Sequence, residues 1–125
     1  MMGGGSVGID LVEVARIARA VDRWGDRFLT RIYTPEEISY CLKKSNPYPS
    51  LAARFAAKEA FVKALSGAGG GRVAFQDVEV VRGETGPPSL RVAVRAGWLE
   101  GRSLSVSLTH TREHAAACVL IGDGE

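Results

Sequence analysis

The strongest constraint on the fold is a change in hydrophobic period near the glycine run at residues 67–71. Before it, apolar residues recur at spacings of three and four, which is typical of helices that bury one face. After it, apolar and polar residues alternate, which is typical of strands. The alternating apolar positions are Val78 and Val80, then Leu90, Val92 and Val94, then Leu104, Val106 and Leu108. An apolar run at residues 115–121 predicts a last, more buried strand. The pattern predicts an α+β fold, with helices mainly in the N-terminal half packed on an antiparallel sheet.

Three helix starts are predicted from capping residues. Asp10 follows a short apolar strand at residues 7–9, and its side chain can cap the first helix. Thr34 precedes Pro and Glu in the positions of a capping box, which predicts a second, short helix. Ser50 predicts the start of a third, alanine-rich helix at residues 51–65. These caps place the predicted helices before the strand-rich half.

Composition narrows the class of protein. The 125 residues include 16 basic and 14 acidic side chains, and a net charge of +2 is too small to favour non-specific nucleic-acid binding. The two cysteines have no metal-ligand spacing, so reduced thiols are expected. No apolar run reaches the roughly 18 residues of a membrane span, and no signal peptide is recognisable. We expect one cytoplasmic domain over residues 1–125, with residues 1–6 as a flexible end.

A carboxylate among cations lies on the third helix. Glu59 and Lys63 are four residues apart and share a helix face, with Arg54 and Lys58 on a neighbouring stripe. This arrangement could hold a metal ion and phosphates, but the same spacing is common in surface ion pairs. Asp10 likewise has either a capping role or a role as an oxygen ligand for Mg²⁺. Spacing alone leaves both interpretations open.

Four arginines recur at spacings of three and four, at positions Arg16, Arg19, Arg23 and Arg27. They form one basic stripe if the first helix continues through Gly25. Such a stripe is either an ordinary solvated face or a docking surface for an acidic protein.

The segment from His110 to His114 matches the H-x-x-E-H zinc motif. That motif needs a helix to bring both histidines to one face, whereas here it joins two predicted strands. A zinc hydrolase is therefore a weak alternative.

Two separated motifs resemble the signatures of the 4'-phosphopantetheinyl transferases. They are GID at residues 8–10 and RFAAKEAFVKAL at residues 54–65. Residues 104–111 (LSVSLTHT) resemble the third segment of that family, and residues 28–40 resemble its FxxRI(F/Y)TxxE region. The short chain is similar to the single-copy holo-acyl-carrier-protein synthase group. The resemblance implies the family's α+β fold and a homotrimer that binds coenzyme A between adjacent subunits.

The resemblance also implies three sets of functional residues. The catalytic set combines two Mg²⁺ ligands with a phosphate-contacting lysine: Asp10, Glu59 and Lys63. The coenzyme A contacts are, besides Lys63, Arg54, His110 and Thr111. The carrier-protein docking surface comprises Arg16, Arg27 and Phe28.

The implied activity is transfer of 4'-phosphopantetheine from coenzyme A to a serine of an apo acyl carrier protein, with Mg²⁺ as cofactor. Such an enzyme would support fatty-acid or polyketide biosynthesis, without nucleic-acid or membrane partners. The alternative from another class is a non-catalytic basic module that binds acidic proteins or nucleic acid.

Overall fold

A computed structural model describes residues 5–82, 86–93 and 99–123. Its four helices and five strands are, in chain order, β1 (Ser6–Glu13), α1 (Val14–Trp24), α2 (Asp26–Ile32), α3 (Pro35–Leu42), α4 (Tyr48–Gly67), β2 (Val78–Val81), β3 (Ser89–Val92), β4 (Leu104–His110) and β5 (His114–Ile121). A 3₁₀ turn, Phe75–Asp77, precedes β2. The predicted order, with helices mainly in the first half and strands in the second, is confirmed. Strand β1 is longer than expected. The predicted strand position Val94 lies outside the described residues.

The strands form two antiparallel sheets. In the three-stranded sheet the order is β1-β5-β4, so β5 is paired on both sides. Its small inward residues Ala115 and Ala117 are almost completely buried. Strands β2 and β3 form a separate pair. The predicted α+β class with an antiparallel sheet is therefore confirmed.

Helix α4 is buried on most of its surface and packs against β1 and β5. Six of its alanines are at most 2% exposed: Ala52, Ala53, Ala56, Ala57, Ala60 and Ala64. Such small side chains let a helix backbone lie close to a sheet. Among the described residues, no helix is both long and apolar enough to cross a membrane. The position of α4 on the sheet consequently governs where its polar side chains emerge.

One buried ion pair joins the helices to β2. The Lys58 ammonium lies 2.8 Å from a Glu37 carboxylate oxygen, and neither side chain is exposed. Lys58 also donates to the carbonyls of Phe75 and Val78, while Glu37 accepts from the backbone N–H of Val80 at 2.7 Å. Burial lowers the pKa of Lys58, and the Glu37 carboxylate opposes that shift. Both charges of this pair are thus matched and hydrogen-bonded, as burial requires.

Two of the three predicted helix caps are wrong. Asp10 lies inside β1, which pairs with β5 along its whole length, and α1 begins only at Val14. Pairing in the sheet therefore overrode a local capping preference. Ser50 is buried inside α4, which begins at Tyr48. The capping box at Thr34 is confirmed, because its hydroxyl accepts from the Glu37 N–H at 3.2 Å.

The first helix does not continue through Gly25, as one continuous basic stripe would require. Helix α1 ends at Trp24, and Gly25 has a φ of +55°, a left-handed value that favours glycine. Arg27 therefore belongs to a separate helix, α2. Ser6, expected in a flexible end, is the first residue of β1, whereas residues 1–4 lie outside the described part of the chain.

Candidate active site

Two of the three predicted catalytic residues, Asp10 and Lys63, meet where β1 crosses α4. Asp10 lies on the face of β1 that packs against the helix, with 16% of its side chain exposed. The Lys63 ammonium lies 3.1 Å from Asp10 Oδ1 and donates to the Ile9 carbonyl at 3.0 Å. Lys63 is 55% exposed, so the pair is open to solvent on one side. Residues 53 positions apart are thereby brought into one charged site.

Glu59 is the second carboxylate of this site. It lies one helical turn before Lys63 on the same face of α4, and it is half-buried. The described residues contain no cluster of three or more His, Cys, Asp or Glu side chains that could hold a metal ion. Two carboxylates beside a lysine nevertheless suit Mg²⁺, which is often bound by one or two carboxylates together with substrate phosphates and waters. This set of donors therefore fits a Mg²⁺ ion that is also bound by substrate phosphates and waters. It does not fit a metal ion held by protein ligands alone.

The cation stripe predicted around Glu59 is only partly correct. Lys58 is completely buried and bound to Glu37, so it belongs to the interior. Arg54 is 3% exposed and lies on another side of α4. Of the helix cations considered, Lys63 is the one that the structure places beside Asp10.

Arg54 belongs to a second polar site. Its guanidinium lies 4.5 Å from the centre of the Tyr40 ring, and its Nε has no hydrogen-bond partner among the described residues. It lines a cleft of about 270 Å³ together with Lys44, Arg82 and His110. A buried guanidinium with an unused N–H among further cations is suited to bind a phosphate. Sequence reasoning missed Lys44 and Arg82, although both are basic residues near turns.

Thr111 has a structural role in the β4–β5 turn. Its hydroxyl accepts from the backbone N–H groups of Glu113 at 3.2 Å and His114 at 3.1 Å. The H-x-x-E-H segment is therefore a hairpin turn between two strands, not a helix. This confirms the rejection of the zinc-hydrolase interpretation on structural context, and leaves the coenzyme A role of Thr111 as a prediction.

The two polar sites lie on different sides of α4. Nine positions separate Arg54 from Lys63, and at about 100° per residue they point in nearly opposite directions. The residues predicted to bind one donor molecule are thus divided into two groups within a single chain.

The predicted docking residues are divided as well. Arg16 on α1 lies 5.8 Å from the centre of the Phe55 ring. Arg27 and Phe28 line a cleft of about 330 Å³ together with Trp24 and Arg31, which sequence reasoning missed. Arg23 and Arg27 lie 5.0 and 5.9 Å from the centre of the Trp24 ring, which remains 48% exposed. This surface combines an aromatic side chain with several positive charges.

The outer face of the three-stranded sheet is unusually apolar. Val7, Ile9 and Leu11 alternate along β1 and are 61%, 66% and 68% exposed. Leu120 on β5, paired with Val7, is 48% exposed. The alternation at residues 7–11 is a sequence signal for this face, but the predicted cap at Asp10 places Leu11 in a helix instead.

Comparison with known proteins identifies the family. A family model described as the 4'-phosphopantetheinyl transferase superfamily matches residues 6–119. A holo-[acyl-carrier-protein] synthase from Halothermothrix orenii is 48% identical over 122 residues, covering 94% of this chain and 97% of the relative.

Solved structures agree with this assignment. Helicobacter pylori holo-[acyl-carrier-protein] synthase in complex with coenzyme A has a TM-score of 0.79 and 34% identity, covering 93% of this chain and 99% of its own. The Bacillus anthracis enzyme, in complex with CoA (3',5'-ADP), has a TM-score of 0.78 and 30% identity, covering 97% and 99%. The predicted family and enzyme class are confirmed, in preference to a non-catalytic binding module. The chain belongs to the 4'-phosphopantetheinyl transferase superfamily, as a transferase of the holo-[acyl-carrier-protein] synthase type.

Proposed function

We propose that this enzyme uses Asp10, Glu59 and Lys63 to transfer 4'-phosphopantetheine from coenzyme A to a serine of an apo acyl carrier protein, with Mg²⁺. The observation that carries the residue assignment is the contact of Lys63 with Asp10, on the same α4 face as Glu59. Two carboxylates beside an exposed ammonium are suited to a metal ion and a pyrophosphate at once.

The transfer exchanges one phosphorus–oxygen bond for another. The serine oxygen bonds to the β-phosphorus of coenzyme A while the bond from that phosphorus to the bridging oxygen breaks. Adenosine 3',5'-bisphosphate leaves with the bridging oxygen, and the proton of the serine hydroxyl is released to solvent. Charge therefore increases on the phosphate oxygens and the leaving group during the reaction.

The residues at the crossing of β1 and α4 would stabilise that charge. Asp10 and Glu59 would hold Mg²⁺, which when bound supplies positive charge to the pyrophosphate. Lys63 would donate its N–H groups to phosphate oxygens from the open side of the site, where 55% of its side chain is exposed. Its contacts with Asp10 and the Ile9 carbonyl hold the ammonium beside the Asp10 carboxylate, on the same face of α4 as Glu59.

The second polar site would bind the nucleotide end of coenzyme A. Arg54 is held against Tyr40 with an unused Nε–H, and it lies in the cleft that His110 also lines. We assign the phosphate and nucleotide contacts to Arg54, His110 and Thr111, with Lys44 as an added candidate. Thr111 would act mainly through its neighbour, because its hydroxyl shapes the turn that presents His110.

The separation of the two sites supports an assembly in which neighbouring subunits share one donor molecule, and we propose the homotrimer that the family resemblance implies. Since Arg54 and Lys63 emerge on opposite sides of α4, one donor molecule would contact Arg54 of one subunit and Lys63 of the next. The exposed apolar face formed by Val7, Ile9, Leu11 and Leu120 would lie in the subunit interface, because apolar patches of this kind are typical of such contacts. Replacing Ile9 by Glu should yield monomers in analytical ultracentrifugation and abolish transfer together with assembly.

The carrier protein would dock on the basic and aromatic surface of α1 and α2. Arg16, Arg27 and Phe28 were predicted for this role, and Trp24 and Arg31 extend the surface around Phe28. Positive charge of this kind would accelerate encounter with an acidic carrier, so the docking step should weaken as salt increases.

The direct test combines the purified enzyme, coenzyme A and an apo carrier protein, with intact mass spectrometry of the carrier. The expected result is a mass gain of one phosphopantetheinyl group with Mg²⁺, and none after chelation of divalent ions. A carrier whose serine has been replaced by alanine is the matched control and should gain no mass. Equal transfer in the presence of a chelator would contradict the metal role, and no transfer to any carrier tested would contradict the proposal as a whole. Fatty-acid, polyketide and peptide-synthesis carriers in one panel would identify the pathway served.

A further inference from the structure

The backbones of β1 and α4 are in direct contact at Gly8. This residue is buried, and it lies on the face of β1 that packs against the helix. A Cβ atom built on Gly8 would lie 1.9 Å from the Ala60 carbonyl oxygen and 2.8 Å from the Ala64 nitrogen. Ordinary van der Waals contact begins at 3.4 Å. Because both clashing atoms belong to the helix backbone, no change of side-chain rotamer could relieve the overlap.

The residues two positions before and after Gly8 also contact α4. Successive side chains of a strand alternate between its faces, so Ser6, Gly8 and Asp10 share the helix-facing side. The Ser6 hydroxyl donates to the Ala64 carbonyl at 2.7 Å, and Asp10 contacts Lys63 at 3.1 Å. Strand and helix are thus held together on both sides of the glycine.

This geometry divides the proposed metal ligands between two elements. Asp10 is carried by β1, whereas Glu59 and Lys63 are carried by α4. The distance between the two carboxylates therefore depends on the spacing of strand and helix, and at Gly8 that spacing leaves no room for a Cβ atom.

We propose that Gly8 is a positioning residue of the active site, whose missing side chain sets the distance at which Asp10 faces Glu59 and Lys63. The proposal rests on the proposed role of the two carboxylates as metal ligands. A methyl group at residue 8 forces β1 away from α4 and carries Asp10 with it, since Asp10 follows by only two residues. A displacement of about 1 Å in a catalytic site can lower a rate by about 100-fold.

The test measures metal affinity apart from turnover in the Gly8→Ala variant. The affinity for Mn²⁺ in the presence of coenzyme A is determined by electron paramagnetic resonance, and the Mg²⁺ concentration for half-maximal transfer is determined by intact mass. We expect the Mn²⁺ dissociation constant and the Mg²⁺ concentration for half-maximal transfer each to rise about tenfold or more, a smaller effect than full loss of a ligand. A glycine needed only for packing would lower the melting temperature and leave both values unchanged, and that result would overturn the proposal.

Two further variants keep the test decisive. Gly71→Ala is the matched control, because a Cβ atom at Gly71 meets nothing within 4 Å, and it should leave both values unchanged. Ser6→Ala removes one contact between β1 and α4 without adding an atom, so it should raise the Mn²⁺ dissociation constant two- to threefold. If Gly8→Ala does not fold, an unchanged dissociation constant in Ser6→Ala overturns the proposal. Wild-type enzyme that transfers without divalent ions would instead contradict the proposed metal role.

Discussion

Two lysines on α4, five residues apart, pair with carboxylates in opposite environments. Lys58 lies 2.8 Å from Glu37 with neither side chain exposed, whereas Lys63 lies 3.1 Å from Asp10 with 55% of the lysine exposed. The buried ammonium is fully engaged, because it also donates to two backbone carbonyls. The exposed ammonium keeps an open side towards solvent. The same chemical pair therefore joins elements of the fold in one place and is available to a ligand in the other.

The difference shows that the function of an ion pair depends on what else can reach it. A charge pair that is buried and completely hydrogen-bonded cannot contact substrate without disrupting the fold. A partly exposed pair contributes little to stability, so its geometry is free to serve binding. Mutations in the two pairs should accordingly separate stability from activity.

The largest expected effect is on folding, in Lys58→Met. Removal of the ammonium leaves the Glu37 carboxylate buried without its charged partner, which should cost about 3–5 kcal/mol of unfolding free energy. Urea denaturation followed by circular dichroism measures this loss. The double variant Lys58→Met with Glu37→Gln should recover part of it, since the buried charge is then removed. Equal stability of Lys58→Met and wild type would contradict the structural role.

The next largest effect is on catalysis, in Lys63→Met. Loss of one group that stabilises charge in the transition state should lower the transfer rate by about 10²–10³-fold. The unfolding free energy should change by less than about 1 kcal/mol, because the pair is partly exposed. Rates from intact-mass time courses, compared with urea denaturation of the same variant, test both statements. A stability loss as large as that of Lys58→Met would erase the proposed distinction.

A smaller effect concerns the unfolding free energy at alkaline pH, which depends on the buried thiol of Cys41. Burial raises the pKa of the Cys41 thiol to about 11, from 9.0. The folded state thus binds more protons than the unfolded state between pH 9 and 11, so stability should fall as pH rises through this range. The thiol contributes about 2–3 kcal/mol to that fall. Burial also raises the pKa of Tyr33, which adds to the loss above pH 10.

Cys41→Ala isolates the contribution of the thiol. Its unfolding free energy should depend less steeply on pH between 9 and 11 than that of wild type, whatever its absolute stability. Cys118→Ala is the matched control, because this free thiol is exposed. Parallel pH profiles for wild type and Cys41→Ala would contradict the assignment.

Much of the fold was predictable because local patterns and tertiary packing agreed. The capping box at Thr34 was recognised from four residues, and alternation revealed β2, β3 and β4. The prediction of a cap at Asp10 was wrong because β1 continues to Glu13 through its pairing with β5. That pairing depends on residues more than 100 positions away. The arginine spacing left open whether the first helix continues through Gly25, and spacing alone could not show that this residue has a φ of +55° and separates α1 from α2.

The candidate site was predictable only through its resemblance to a known family. Spacing alone placed Glu59 and Lys63 on one face, but it also placed Lys58 and Arg54 in their neighbourhood. Lys58 lies in the interior instead, paired with Glu37. Its burial depends on the packing of α3 and β2 around α4, which helix spacing does not reveal. The contact between Asp10 and Lys63 and the close approach at Gly8 likewise depend on how strand and helix pack, which no short sequence window contains.

The most direct test of the account is the Mg²⁺-dependent transfer rate of Glu59→Gln, which keeps the shape of the side chain and removes its charge. Glu100→Gln, at an exposed position in the turn before β4, is the matched control. The account predicts a fall of about 10²–10³-fold for Glu59→Gln, with an unchanged melting temperature and a control at the wild-type rate. A Glu59→Gln enzyme as active as wild type at the same Mg²⁺ concentration would contradict the claim that the exposed face of α4 carries the chemistry.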